Sequence, residues 1–375
     1  MAGAENAISL QQRFGFCGMD TSVAGCTAGP YADGAGYSLP HTGRNRSEQQ
    51  SGNQRGMKAL VIGGAGFLGS NLVRACRADA GMDVTVLDSL DPRFLSSRES
   101  LRDLDASIRF IQGDLLDESL LSDLVRGQDV IFNCAAQTSH PLSIREPLLD
   151  VRINCVGNLV LLEAVRRVNP EATVVYPSSS TVIGKALMET VDEDHWERPL
   201  EIYSADKGAA EKYYHIYHTA HGLRTVVIRF ANLFGPGGKN SPDFGFINYF
   251  IAQAAARQTI RVFGDGRQRR NVMYVADAVS ALQTAACLCD ALSGRSWFAT
   301  GNEHPCVLEI AQAVAAEFSA PSVECIPWPA ERKAIEIEDV RFSSERFRTL
   351  AGWRPRVSFA EGLKRTHAAI ETRFA

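Results

Sequence analysis

The run Gly63-Gly64-Ala65-Gly66-Phe67-Leu68-Gly69 constrains the fold of this chain more than any other stretch. It follows Lys58-Ala-Leu-Val-Ile62, a short apolar run of β-strand character, and precedes Ser70–Arg77, whose apolar residues have helical spacing. A second strand-like run, Asp83-Val-Thr-Val-Leu87, ends in an acid, Asp88. Glycines at 63, 66 and 69 have separate uses here: a tight exit from the strand, close approach of backbone to a pyrophosphate, and close packing of helix on strand. The helix that follows turns its unpaired N–H groups and positive dipole end toward phosphates, with Phe67 and Leu68 of the turn also expected at the cofactor. An acid closing the next strand holds ribose hydroxyls and repels a 2′-phosphate. A glycine-rich turn alone is weak evidence, but strand, turn, helix, strand and acid in order are much stronger. The pattern predicts a dinucleotide site that takes NAD.

From Met57 onward strand and helix patterns alternate, as in a parallel sheet with helices on both faces. Strands are expected at Ile108–Gly113, Asp129–Ala135, Thr173–Pro177 and Thr225–Phe230, with helices at Glu118–Val125, Leu148–Val168 and Ser204–His221. Asp114 closes the third strand within reach of an adenine. Ala135-Ala136-Gln137 ends the fourth, and its small residues leave room for ribose and nicotinamide. Asn154 lies within the long helix beside an apolar face, where it either bridges buried backbone groups or meets solvent. After Phe230 the alternation loosens. Gly235-Pro-Gly-Gly238 is a break, followed by a helix at Phe246–Arg257, a short strand at Arg261–Phe263, and helices at Val275–Leu288 and Val307–Phe318. The expected fold class is α/β: a Rossmann-type doubly wound parallel sheet with a smaller mixed C-terminal lobe. Residues 57–230 would form the NAD-binding domain with the catalytic residues. Residues 231–375 would be mainly a substrate-binding lobe, with segments returning to the first domain.

Residues 1–56 are rich in Gly, Ser, Ala and polar residues, without period or a sustained apolar run. They read as a disordered extension or as an upstream start assigned in error; Arg44 and Arg46 with few acids leave a transit peptide as a third reading. A net charge of −4 gives no reason to expect nucleic acid or an anionic membrane as partner. Nor does any apolar run approach the roughly 20 residues that span a bilayer. The nine cysteines include no Cys-x-x-Cys pair, and Cys76, Cys134, Cys155 and Cys287 fall in apolar patterns. That usage fits reduced thiols in the cytoplasm, with no metal expected.

Tyr203-Ser-Ala-Asp-Lys207 carries the second signal. Tyr and Lys four apart share one helix face, where the ammonium can hold the cofactor ribose and lower the phenol's pKa. Tyr203 would then serve as acid and base. Ser178-Ser179-Ser180-Thr181, at the end of the preceding strand, offers hydroxyls to a substrate alcohol or carbonyl. The implied reaction is hydride transfer between a secondary alcohol and nicotinamide.

With these motifs the chain resembles the extended short-chain dehydrogenase/reductases, and within them the NAD-dependent epimerase/dehydratase family of nucleotide-sugar enzymes. The resemblance runs from Met57 to the C-terminus. It is carried by the glycine-rich turn, Gly113-Asp-Leu115, Ala135-Ala-Gln137, Asn154–Ala164, Ser178–Gly184, Tyr203–Lys207, Arg229–Pro236, Val262–Asn271 and Phe342–Pro355. It implies Ser179 as the catalytic hydroxyl beside Tyr203 and Lys207, with Ser180 and Thr181 at the substrate. It implies cofactor contacts from Leu115, Ala135, Ala136, Gln137, Asn154 and Phe230 in addition to those above. Asn232 and Arg270 match the family's contacts to the substrate diphosphate. Three positions depart from the pattern: Ile62 replaces Thr, Ile183 replaces Tyr, and Asn271 replaces the common Asp, which alters the loop's hydrogen bonding.

The family's dehydratases carry an Asp–Glu pair directly after the catalytic hydroxyl residue, and its decarboxylases keep a Glu there. Here Ser180 and Thr181 occupy those positions, so the resemblance implies a 4-epimerase acting on a UDP-hexose. A dehydratase or decarboxylase, a C2-epimerase and a nucleotide-sugar reductase are the alternatives within the fold, and a non-catalytic NAD-binding regulator is another. The family also implies a homodimer.

Overall fold

The computed structural model describes residues 56–78, 82–337 and 339–374, so all but the last residue of the expected 1–56 extension lies outside the described residues. Strand β1 (Lys58–Ile62) leads through the glycine turn into helix α1 (Phe67–Ala78), and β2 (Asp83–Asp88) follows. Then come β3 (Arg109–Gln112), α2 (Glu118–Leu124), β4 (Val130–Asn133) and α3 (Gly157–Val168). Next are β5 (Thr173–Ser179), α4 (Ile202–His221) and β6 (Arg224–Phe230). The strands form one seven-stranded parallel sheet in the order β7-β6-β5-β4-β1-β2-β3, where β7 is Ser296–Ala299. The strands read as unbroken apolar runs because both faces are covered. Ala59 and Val61 pack with Leu72 and Val73 of α1 and with Leu282. Leu60 and Ile62, pointing the other way, pack with Leu121 of α2, Leu161 and Leu162 of α3, and Tyr214 of α4.

Two elements differ from the sequence expectation. The seventh strand, β7, pairs beside β6 with Ser296 opposite Val227. At four residues it is too short to announce itself in a chain whose alternation has already loosened. The long helix at Leu148–Val168 is continuous in direction but not in type: an α-turn at Pro147–Val151 passes through a π-helical turn at Arg152–Val156 into α3. The helices and strand expected after Phe230 are present, and strand Val323–Ile326 and helix Phe359–Phe374 are additions to them. Helix α5 (Phe246–Ala255) precedes α6 (Val275–Cys287), and α7 (Val307–Phe318) comes after β7. Strand Ile260–Phe263 pairs with Val323–Ile326, and α5 and α7 share a core containing Phe250, Ile251, Ile310 and Val314. Helix α6 returns to the main sheet, where Ala278 and Leu282 join the core under α1.

Candidate active site

All seven strands run in one direction, so the ends at Ile62, Asp88, Gln112, Asn133, Ser179 and Phe230 open on one edge. A cleft of about 490 Å³ lies along that edge. It is lined by Gly63, Gly66, Phe67, Leu68, Gly69, Asp88, Asp114, Leu115, Ala135, Ala136 and Phe230, all expected at a cofactor. Ser179, Ser180, Thr181, Tyr203, Lys207, Asn232 and Arg270 line the same cleft. Gln137 and Asn154 do not. Both are fully buried behind the wall, where Asn154 Nδ2 donates to the Gln137 carbonyl at 2.9 Å and its Oδ1 accepts from the Gln137 amide at 3.2 Å. Asn154 thus splints the loop after β4, and the π-turn that carries it supplies the position.

The glycine turn fits a pyrophosphate for reasons visible in its surroundings. Gly63 has φ +74°, and a Cβ there would stand 2.5 Å from the Ala135 nitrogen. A Cβ on Gly69 would overlap the Gly63 carbonyl oxygen. At Gly66 a Cβ would meet only that same oxygen, at 3.3 Å, so the fold itself has little need of glycine there. The need comes from the cleft, which the missing side chain leaves open beside the first-turn amides of α1. Asp88 is buried, with Oδ2 accepting from Ala65 N at 2.9 Å and Oδ1 from Leu90 N at 2.9 Å and Ser96 Oγ at 3.1 Å. Each carboxylate oxygen can take two hydrogen bonds, so Oδ2 keeps a lone pair for a ribose hydroxyl. These residues fit NAD.

At the other end of the cleft, α4 brings Tyr203 and Lys207 against the end of β5. Lys207 Nζ donates to the Pro177 carbonyl at 2.8 Å and lies 4.2 Å from the centre of the Tyr176 ring. Burial lowers its pKa to about 8, against the pull of Glu211, Cys134 and Asp150. The expected lowering of the Tyr203 phenol is not found. Burial, then the Glu201 carboxylate, push it up, with Asp150 adding to them and the Ser179 hydroxyl opposing. The reason is that the Lys207 ammonium is committed to Pro177 and Tyr176 rather than to the phenol. Ser179 Oγ is 2.8 Å from Thr181 Oγ1, which accepts from Ser204 Oγ at 2.7 Å.

The polar groups over this end are more engaged than their sequence context shows. Arg270 donates to Glu336, to the Ile337 carbonyl at 2.6 Å and to the Arg269 carbonyl at 2.8 Å. Asn232, at φ +40°, donates to the Asn271 carbonyl at 2.9 Å. Asn271, the departure from the common Asp, accepts from the Phe342 amide at 2.9 Å and so pins the loop. Sequence reasoning missed His140 and Lys239. His140 lines the cleft edge-on to Tyr203, with ring centroids 4.8 Å apart. Lys239 lines it over the Phe244 ring, at 4.1 Å, and burial lowers its pKa to about 8, with Asp88 opposing. Only the glycine break before Lys239 could have drawn attention to it; nothing local marks His140.

Comparison with known proteins agrees with this geometry. The profile of the NAD dependent epimerase/dehydratase family matches residues 59–297. A dTDP-glucose 4,6-dehydratase of Streptomyces niveus is 33% identical over 83% of this chain and 91% of its own length. A UDP-glucose 4-epimerase of Mycolicibacterium smegmatis is 31% identical over 83% of this chain and 97% of its own. Among solved structures, the Thermus thermophilus UDP-glucose 4-epimerase in complex with NAD superposes with a TM-score of 0.74 at 29% identity, covering 84% of this chain and 99% of that one. With the glycine cradle, the acid at the end of β2 and the Tyr–Lys helix facing one cleft, the chain belongs to the NAD dependent epimerase/dehydratase family of nucleotide-sugar enzymes.

Proposed function

We propose that this protein is an NAD-dependent nucleotide-sugar 4-epimerase acting on a UDP-hexose. The observation that carries the reading is the pair that follows Ser179 in the cleft: Ser180 and Thr181, neither of which ionises near neutral pH. Elimination of a hydroxyl or loss of carbon dioxide lacks a carboxylate at that place, which distinguishes this chain from the dehydratases it matches equally well overall. NAD, when bound, supplies the hydride acceptor and a positive charge that favours the Tyr203 phenolate. Tyr203 takes the proton from the C4 hydroxyl and returns it, Ser179 hydrogen-bonds the same oxygen, and Lys207 holds the cofactor ribose. Arg270 and Asn232 bind the diphosphate, Arg270 through its guanidinium fork once Glu336 is displaced. The residues after Phe230 that cover the cleft provide the substrate lobe.

A homodimer completes the proposal. Ile144, Leu148, Val151 and Val156 are 37–78% exposed on the helical stretch leading into α3, an apolar face suited to a second copy. Light scattering at micromolar concentration tests it, and a monomer would contradict it. For the activity, the purified protein is incubated with UDP-glucose, UDP-galactose and their N-acetyl forms without added cofactor, and products are read by NMR. Interconversion at C4 is expected. A 4-keto-6-deoxy product or released carbon dioxide would overturn the reading.

A further inference from the structure

His140 stands beside the Tyr203–Lys207–Ser179 group without belonging to it. Its Nδ1 is 3.0 Å from Glu201 Oε1, and the Glu201 side chain is only 4% exposed. Glu201 caps α4, accepting from the Ser204 amide at 3.2 Å and from the Ser143 hydroxyl at 3.0 Å. Burial pushes this carboxyl up, but His140 and the Ser204 and Ser143 hydroxyls outweigh burial and hold it below the usual carboxylate value. A carboxylate on Nδ1 fixes the orientation of the imidazole and, in its uncharged form, sets the proton on that nitrogen, so that Nε2 is then the lone-pair atom. The ring lines the cleft, its side chain is 36% exposed, and it meets Tyr203 at a centroid distance of 4.8 Å.

We propose that His140, oriented by Glu201, is a second general base of this site, one that acts on a carbon next to the C4 ketone. The inference rests on the oxidation at C4 proposed above. A ketone acidifies the C–H bonds beside it. His140 Nε2 takes such a proton, and the C–H electron pair moves to the ketone oxygen as an enolate that Ser179 and Tyr203 hydrogen-bond. Return of a proton from the imidazolium restores the ketone before the hydride comes back. The proton on that carbon therefore exchanges with solvent, and where it returns to the opposite face a second centre is inverted. Glu201 is the positioning residue.

The test incubates the enzyme in deuterium oxide with UDP-glucose and, separately, dTDP-glucose. Near-ultraviolet absorbance follows reduction of bound nicotinamide, and proton NMR of the recovered sugar follows deuterium at the carbons flanking C4. Deuterium is expected at one of them, and His140→Gln should lower deuterium incorporated per cofactor reduced by about 100-fold or more. Glu201→Gln should lower the same ratio, with partial rescue by Glu201→Asp; a merely structural role would reduce both signals together. Cofactor reduction without deuterium overturns this inference and leaves the oxidation standing. Neither reduction nor product with either sugar overturns both. Independently of turnover, ¹⁵N spectra of histidine-labelled protein, with His140 assigned through His140→Gln, should show the neutral ring protonated on Nδ1; protonation on Nε2 overturns the proposal.

Discussion

Alanine substitutions at Gly66 and at Gly69 separate what the glycine turn does for folding from what it does for the cofactor. At Gly69 an added Cβ would overlap the Gly63 carbonyl oxygen and stand 2.8 Å from Gly64 Cα, where ordinary contact begins at 3.4 Å. Both obstacles are backbone, so α1 must lift off the turn. Overpacking of this kind costs about 1–3 kcal/mol. In a domain of this size that is a loss of roughly 2–10 °C in Tm. At Gly66 the nearest atom to the added Cβ is 3.3 Å away and the backbone is not left-handed. The small crowding there is offset by about 0.4–1 kcal/mol from a less flexible unfolded chain. Gly66→Ala should therefore melt close to the parent, since changes within about 0.5 kcal/mol are expected where no packing feature is broken. Its methyl group, however, enters the cleft where the pyrophosphate belongs. NAD at about a hundredfold excess over its Kd should stabilise the parent by about 2.7 kcal/mol and leave Gly66→Ala nearly unshifted. Thermal unfolding of NAD-free protein with and without added NAD, with calorimetric titration alongside, reads both effects. A Gly66→Ala protein that NAD stabilises as much as the parent would refute the cradle, and a Gly69→Ala protein with unchanged Tm would refute the packing argument.

Tyr203→Phe should reduce turnover by about 10²–10⁴-fold with NAD still bound, because only the proton-carrying oxygen is lost; an active variant would contradict its role. Lys207, lowered by burial to about 8, loses its ammonium as pH rises through that value, so kcat/KM should fall on the alkaline side and Lys207→Met should lack that limb. Asp88→Asn sets an amide N–H₂ against the Ala65 or Leu90 amide, costing about 1–3 kcal/mol and narrowing the preference for NAD over NADP, measured by melting and by competitive binding. Asp206 has its pKa raised by burial and by Asp150. A raised folded-state value means stability present at low pH and lost as pH rises through it, so Asp206→Asn should gain Tm over the parent more at pH 8 than at pH 4.

What was legible in the sequence was local. Gly63, Gly66 and Gly69 act within one turn, and Tyr203 and Lys207 share one helical turn, so spacing alone places them. Residues whose meaning depends on distant partners stayed hidden. His140 and Glu201 are 61 residues apart in the chain, and nothing near either announces the pair. Arg270 reads as a free guanidinium until Glu336, 66 residues on, is folded against it. From the sequence Asn154 reads equally as a bridge or as exposed, because a single π-turn within a longer helix leaves no mark in the residues that form it. The Tyr203 phenol is raised rather than lowered because burial and the acids Glu201 and Asp150, none of them deducible from a four-residue spacing, set the outcome.

The charges beneath the site explain how so short a motif is held in place. Glu211, fully buried on α4, accepts from Arg229 of β6 at 2.7 Å, from Ser178 of β5 at 2.5 Å and from Ser296 of β7 at 2.7 Å. Burial alone would raise its pKa, but the Arg229 guanidinium overcomes that and keeps it ionised. A buried ion pair is weak evidence for stability, since apolar residues of the same volume often do as well. Leucine at 211 would not, however, fix the azimuth of α4 against three strands at once. Ser178 precedes Ser179, and Glu211 lies one helical turn beyond Lys207, so this carboxylate sets the distance between the hydroxyl and the Tyr–Lys face. Arg229 also reaches Glu197 in the segment leading to α4, which ties the entry of the helix to the same point. Conversion of Glu211 to glutamine keeps the volume but leaves Arg229 only the quarter-exposed Glu197 as partner charge, a loss below the roughly 3–5 kcal/mol of a fully broken buried pair. Geometry at Tyr203 and stability of the sheet edge are thus coupled through a single side chain.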